Sequence, residues 1–598
     1  MMEISLKCFQ SFIFGLEQVP PDTPRRWELI AELVSKLSSS VVEDTDHEAE
    51  PQDLTIQIGV GIPHHGFVSS AKCCKNLFSL LSTGGGGWSR SDILRHAGMI
   101  YSKDGFSSLK PLILMPLVME CCSTRTRVDP HPSIPLVYTL DGTLVAAMFH
   151  GQCKRCDNRY YYSYMETKSK DGSILRYYND PKNDQEYFQY SSSTVLQKKL
   201  LLDITHNYVV FSAATFESRA QVYFANNQQT DRTRLQYLEK FKASKIREWS
   251  PSAKRLEDCW FTWCIILTYA ELGKLQTVNL FVEYTPSGKQ KNLESVCEEL
   301  WEVITTQRNK WVMHKCGTKG CAEGYVTVDG NEKLRRPICA VPHSKSQIRK
   351  DLPKIVQCCT NFPILGGKNQ APNKYCEVHA QDYDGESLAP IELRDVNIAY
   401  TGVLPDNDDD SILTGCKHPE NRVKFHTTTA GMLALIRPCG IVVAMTEMYT
   451  CESATQVFLF LLRTFVHDVS TVMRLRYLGY DRACDLKPFL INQSKRGSAG
   501  AQLLLERVEF LVDIFHCEKH TELTCMPPDN PLCQYHPKLP KFQEIHGANT
   551  ESCEQGFCRL SKYKHATRYM TQYRRLFFFH FINNIYNVHL EQSLELID

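Results

Sequence analysis

The chain has 598 residues, 43% of them hydrophobic, which is enough for roughly three or four globular domains and excludes a disordered protein. Lysine plus arginine (68) nearly cancels aspartate plus glutamate (67), so any grip on nucleic acid must come from local patches and not from bulk attraction. The 25 cysteines, with a Met1–Val19 segment that carries Glu3 and Lys7 and no sustained apolar run, point to a reducing compartment in which thiols bind metal or lie buried, and the longest apolar runs, Cys259–Ala270 and Leu576–Ile582, are too short to span a bilayer.

Residues 1–104 read as a helical N-terminal region of unknown role: Trp27–Leu37 has helical apolar spacing, Glu43–Asp53 is acidic and Gly84–Gly87 is a break. Residues 105–230 read as an α+β module of short strands such as Ile134–Leu140, an Asp141-Gly142 turn and a run of tyrosines from Tyr160 to Tyr190. Residues 231–313 form a helical connector, with Cys259–Leu267 as a buried helix and Asn292–Lys310 as an amphipathic one. A Cys/His cluster occupies 314–382. Over 383–598 strand-like and helical stretches alternate after an acidic loop at Asp406–Asp410, which predicts an α/β layer.

Three groups of residues have zinc-ligand spacing. Cys153-x-x-Cys156 is half a site, with Cys121, Cys122 and His150 as candidates for the other half. The second group is Cys316-x4-Cys321, Cys339-x3-His343, Cys358-Cys359 and Cys376-x-x-His379; order alone does not say which four share an ion. The third is His516, His520, Cys525 and Cys533, set against a reading as packed side chains.

Acids stand among these groups. Val328-Asp329-Gly330 reads either as the tight turn of a hairpin or as a strand end from which a carboxylate reaches a divalent metal. Pro438–Met445 is an apolar strand and Glu452–Phe465 an apolar-periodic helix; Tyr477–Asp481 is a strand ending in an acid that could equally cap a helix. Asn549 or Thr550 could cap a helix whose first turn carries Glu551 and Glu554, where the ordinary role of an acid is dipole compensation. Beyond it, Arg559, Lys562, Lys564, Arg568, Arg574 and Arg575 interleave with Tyr563, Tyr569 and Tyr573, a pattern of cations for phosphate and rings for stacking or else a solvated basic face. Lys333, Arg335, Arg336, Lys345, Arg349, Lys350 and Lys354 form a second basic stretch, opposed only by Asp351.

The order of these pieces resembles the Kyakuja-Dileera-Zisupton (KDZ) transposases and their associated cysteine clusters: Asp329-Gly330 amid Cys316, Cys321, Cys339, Cys376 and His379; Cys439-Gly440 through Glu452-Ser453; Tyr480-Asp481-x-x-Cys484; Val512-Asp513-x-Phe-His516-x3-His520; and Asn549-Thr550 with Glu554-Gln555 running toward Asn587. The resemblance covers roughly 314–590, and the module around Cys153 and Cys156 looks like a second KDZ-associated cluster. It implies an α/β ribonuclease-H-like core with an inserted zinc-binding cluster. It also implies an acid triad, Asp329, Asp481 and Glu554, that holds catalytic Mg2+ for DNA cleavage and strand transfer, with structural Zn2+ in the thiol clusters. Asp513 competes with Asp481 and Glu551 with Glu554; motif position decides. DNA as partner, a homo-oligomer and a nuclear location follow as expectations, against the alternative of a non-catalytic, host-adopted zinc-rich DNA- or chromatin-binding protein that retains the fold.

Overall fold

The structure is a computed structural model that describes most of residues 112–226, 250–275, 293–339 and 428–595, with residues 361–363, 365–366, 371–372 and 375–376. The readings of residues 1–104, of the Asp406–Asp410 loop, of His343, Cys358, Cys359, His379, His520 and Cys525, and of Lys345, Arg349, Lys350, Asp351 and Lys354 lie outside the described residues. Two compact units are present, Met1–Leu200 with Phe224–Ser250, and Leu201–Tyr223 with Pro251–Asp598.

The first unit holds two five-stranded sheets. In one, Leu136–Thr139 and Gly142–Met148 form the hairpin expected around Asp141-Gly142, and Gly142 takes φ 129. Its core is Leu114, Val137, Ala146, Met148, Tyr162, Tyr187 and Val195. The other sheet runs through Tyr164–Lys168 and Ile174–Tyr178, and its tyrosines are packed, with Tyr160, Tyr164 and Tyr178 buried.

The second unit is a mixed α/β layer. Its sheet contains β1 (Tyr325–Asn331), β2 (Gly431–Ile436), β3 (Val442–Met448), β4 (Tyr477–Gly479) and β5 (Glu509–Leu511), in the spatial order β3-β2-β1-β4-β5. The first three strands are antiparallel neighbours, whereas β4 lies parallel to β1 and β5 parallel to β4. Side chains alternate across the pleat. Val326, Val328, Leu433, Leu435, Leu478 and Phe510 pack on one face with helices α1 (Ala454–Leu461), α2 (Ala483–Lys495) and α3 (Ala499–Arg507). On the opposite face Tyr325, Tyr477 and Leu511 meet Phe542, Ile545 and Ala548, and Thr327 meets Ser552 and Cys553 of α4 (Ser552–Leu560).

Two details depart from the sequence reading. Asp329-Gly330 is not a hairpin turn: β1 runs straight through it, pairing Asp329 with Ala434 and Gly330 with Leu433. Neither Asn549 nor Thr550 caps α4; Asn549 accepts from Glu551 N at 3.1 Å, and Thr550 accepts from Ile514 N at 3.4 Å.

The C-terminal helix α5 (Gln572–Glu595) is apolar on several sides because it is covered on several sides. Phe577, Phe578 and Phe581 join a buried aromatic cluster with Tyr208, Trp260 and Phe261. Farther along, the Asn587 side chain both accepts from Val442 N (3.0 Å) and donates to Val442 O (2.8 Å), pinning the helix to strand β3. Two arginines of the expected DNA-gripping stretches are spent inside: Arg336 and Arg575 are buried against Glu447, so neither reaches phosphate. Arg574 is engaged by Glu257 and Asp258. Lys562, Lys564, Arg568 and Tyr569 remain exposed. No described helix is long and apolar enough to cross a membrane.

Candidate metal centre and thiol clusters

Three chain segments deliver acids to one end of the sheet. Asp329 projects from β1 on the same face as Thr327, two residues earlier. Asp481 follows β4 after Tyr480, and Glu452 precedes Ser453, whose hydroxyl accepts from Gln456 N and caps α1. Carboxylate oxygens of Asp329, Glu452 and Asp481 lie within 4.8 Å of one another. Glu554 enters the same cleft from the first turn of α4, which a buried Thr327–Ser552 hydroxyl contact of 2.6 Å ties to β1. The cleft, about 280 Å³ and open to solvent, is lined further by Asp513, Glu551 and His516. Asp329, Asp481 and Glu554 are therefore neighbours, although they stand far apart in the chain.

Gly330 is required here by close approach. A Cβ at this position would lie 2.3 Å from a Glu452 carboxylate oxygen, so the missing side chain is what admits Glu452 to the group. Sequence reading placed Glu452 at the start of an apolar helix and in the Glu452-Ser453 motif, without grouping it with the other acids. The signal was present: an acid just before a serine cap, at the exit of an apolar strand, is delivered to the same sheet edge as its partners.

The electrostatics are those of anions short of a cation. Burial lifts the Asp329 carboxyl well above the usual range, and Glu452 and Asp481 repel it further, against one Gly330 N–H bond at 2.7 Å. Burial with Asp481 nearby raises Glu452 to about 8, moderated by the Tyr480 hydroxyl. Burial raises Asp481 to about 6, with His516 and Arg482 opposing, and its Oδ1 is enclosed without a hydrogen-bond donor. A buried carboxylate oxygen with no donor, beside two more carboxylates, is the arrangement a divalent cation completes.

This has a measurable consequence. A carboxyl that holds its proton more tightly when folded favours folding below its unfolded pKa, and that advantage is lost as pH rises to the folded value. The unfolded values are about 4 and the folded ones of Asp481 and Glu452 about 6 and about 8, so the loss falls between pH 4 and 8. In the absence of divalent cations, Asp481→Asn should therefore gain melting temperature relative to the parent as pH rises through this window, and a saturating divalent cation should reverse the order. A pH-independent difference between the two proteins would show that the acids do not share a site.

His516 stands in this cleft, where its Nδ1 meets Asp513 Oδ2 at 2.7 Å. Cys533 is buried in the core, close enough to Cys517 to act on its thiol. Cys339 and Cys376 sit together, the Cys376 N–H pointing to the Cys339 sulfur at 3.4 Å. Cys316 has neighbours that its spacing did not suggest, His314 and Cys439.

In the first unit the adjacent pair Cys121-Cys122 supplies what spacing left open. Cys122 and Ser123 both take positive φ (51 and 56) and turn the chain between Glu120–Cys121 and Thr124–Arg125. The turn brings Cys121 Sγ 3.3 Å from Cys156 Sγ, and all four thiols of Cys121, Cys122, Cys153 and Cys156 gather within 4.8 Å. Backbone N–H groups of Cys156 and Arg155 hold the Cys153 thiol down at about 6, while at Cys156 the opposing Asn158 N–H is outweighed by burial and the sulfur neighbours, which push it up to about 12. Such a set could hold a metal ion such as zinc, whose charge would deprotonate all four. His150 stacks on Tyr161 instead.

A mixed α/β protein with clustered thiols and a carboxylate cleft at one sheet edge is the class that these observations define. Comparison with known families adds that residues 414–587 match the Kyakuja-Dileera-Zisupton transposase and residues 109–225 match the CxC5 like cysteine cluster associated with KDZ transposases, each over part of the chain. No curated protein and no solved structure matches it. The KDZ match takes in Glu452, Asp481 and Glu554; Asp329 lies upstream of it and joins them through the geometry of β1.

Proposed function

We propose that the chain is a DNA transposase-like protein of the KDZ type, in which Asp329, Asp481 and Glu554 form the acid triad of a ribonuclease-H-like core that cleaves and joins DNA strands. The observation that carries this reading is the convergence of carboxylates from β1, the end of β4 and α4 on one cleft. The sheet supports it as well: three antiparallel strands are continued by two parallel ones, with Asp329 in the last residues of the central strand and Asp481 just past its parallel neighbour, so that both carboxylates reach one end of the sheet.

The donor set fits magnesium, which prefers carboxylate oxygens and retains water. Asp329 and Asp481, with Glu452 and Glu554, would hold it, and bound there it supplies an activated water and neutralises the leaving 3′ oxygen. The remaining work belongs to the chain. Asp513 orients the His516 ring at the wall of the cleft through its contact with Nδ1. Exposed Lys562, Lys564 and Arg568, following α4, offer phosphate contacts, with Tyr569 as a stacking ring. Action on chromosomal DNA places the protein in the nucleus, and paired element ends call for a homo-oligomer.

Nicking of supercoiled DNA by the purified chain in magnesium tests the reading, with Glu554→Gln and Glu452→Gln beside the parent. Glu554→Gln should abolish nicking and retain DNA binding. A parent that binds DNA and never nicks it would favour a host-adopted binding protein; a Glu554→Gln variant that nicks like the parent would remove Glu554 from the triad.

A further inference from the structure

Apart from the carboxylate cleft and the Cys121–Cys156 cluster, a third group of ligating side chains forms where the approach to β1 meets the turn between β2 and β3. His314 Nε2 lies 3.7 Å from Cys439 Sγ, and ligand atoms of His314, Cys316 and Cys439 all fall within 4.8 Å of one another. The buried Cys321 thiol lies near enough for the Cys439 and Cys316 thiols to act on it, just outside the group of atoms that all fall within 4.8 Å. We propose that His314, Cys316, Cys321 and Cys439 form a structural zinc site with three thiolates and one imidazole, a grouping that cuts across the sequence spacing by excluding Cys339 and Cys376.

Local structure holds each member in place. Cys439 stands at the tip of a tight turn in which Gly440 takes φ 93 and donates to Arg437 O at 2.8 Å, a conformation that suits glycine. Cys316 and Cys321 flank a loop that turns at Gly320 (φ 94) before entering β1.

The surroundings match a metal site in two independent ways. First, the second ring nitrogen of His314 is engaged: Nδ1 meets Glu591 Oε1 at 2.9 Å, which orients Nε2 toward the sulfurs, as carboxylate–histidine pairs do behind zinc ligands. Second, Arg437 is 1% exposed beside these residues, and its hydrogen bonds among the described residues all go to carbonyls, of Val312 (2.6 Å), Trp311 (3.4 Å) and Cys321 (3.4 Å). A buried guanidinium needs a countercharge. Zinc with three thiolates and a neutral imidazole carries one net negative charge and supplies it. Occupied, the site would fasten the segment entering β1 to the β2–β3 turn and, through Glu591, to α5, and so fix the strand that presents Asp329.

Zinc content of the purified full chain tests this. Because other thiol clusters can also bind zinc, the readout is a difference. Cys439→Ser and His314→Ala should each lose a single equivalent, the double variant should lose that same equivalent, and Cys156→Ser added to either should remove a further one. Should Cys439→Ser fail to fold, His314→Cys keeps four ligands: the cobalt-loaded variant should bind the parental amount of metal with stronger thiolate-to-cobalt charge-transfer absorption. Parental zinc content in folded Cys439→Ser, or a cobalt spectrum unchanged by His314→Cys, would overturn the assignment.

Discussion

Asp329→Asn is expected to lower magnesium-dependent DNA nicking by on the order of 10³-fold while leaving DNA binding within a few-fold of the parent. Asparagine preserves the shape of the side chain and the Gly330 N–H contact at the carbonyl oxygen, so strand β1 keeps its register with β2 and β4. What disappears is one negative charge at the point where burial and two neighbouring acids already make charge expensive. The same loss relieves repulsion, so the metal-free variant should melt above the parent at neutral pH, and added magnesium should help the variant less. Activity lost together with stability gained is the signature of a site strained for function. A variant that loses nicking because it unfolds would show the opposite melting shift, and one that nicks normally would remove Asp329 from the reaction.

The acids, strands and thiols were legible in different degrees, and the reasons are physical. Asp329, Asp481 and Glu554 were singled out by the order of motifs and not by local pattern, which for each alone read as a turn, a cap or dipole compensation; the fold brings them to one cleft from within β1, from just past β4 and from the first turn of α4. The Asp329-Gly330 dipeptide misled toward a turn because its glycine serves a tertiary need, space for the Glu452 carboxylate. Thiol spacing located Cys153 and Cys156, yet it could not pair Cys316 and Cys321 with Cys439, since that contact depends on β1 and β2 being antiparallel neighbours. Composition invited an error at the basic stretches: Arg336 and Arg575 read as phosphate contacts, and only packing shows them turned inward to a single glutamate.

That glutamate carries the largest stability effect expected in the molecule. Glu447 sits on β3 with its side chain 1% exposed, accepting from Arg336 Nε (2.5 Å) and Nη2 (2.8 Å), from Arg575 Nη1 (3.2 Å) and from the Tyr449 hydroxyl (2.8 Å). Burial alone would push its carboxyl up, but the two guanidiniums outweigh burial and hold it below the usual range. Arg575 answers in kind: burial, relieved in part by Glu447, brings it down to about 10. Glu447→Gln keeps the volume and removes the charge that, among the described residues, is bonded to both arginines. Breaking a buried pair in this way costs about 3–5 kcal/mol, a large share of the roughly 5–15 kcal/mol that hold a domain folded. Urea unfolding should show that loss in the second unit. Replacing Glu447 by leucine together with Arg336 and Arg575 by methionine should recover much of it, because the cost lies in stranded charge and not in lost contact area. Equal stability of the parent and Glu447→Gln would mean that water or another acid neutralises Arg336 and Arg575.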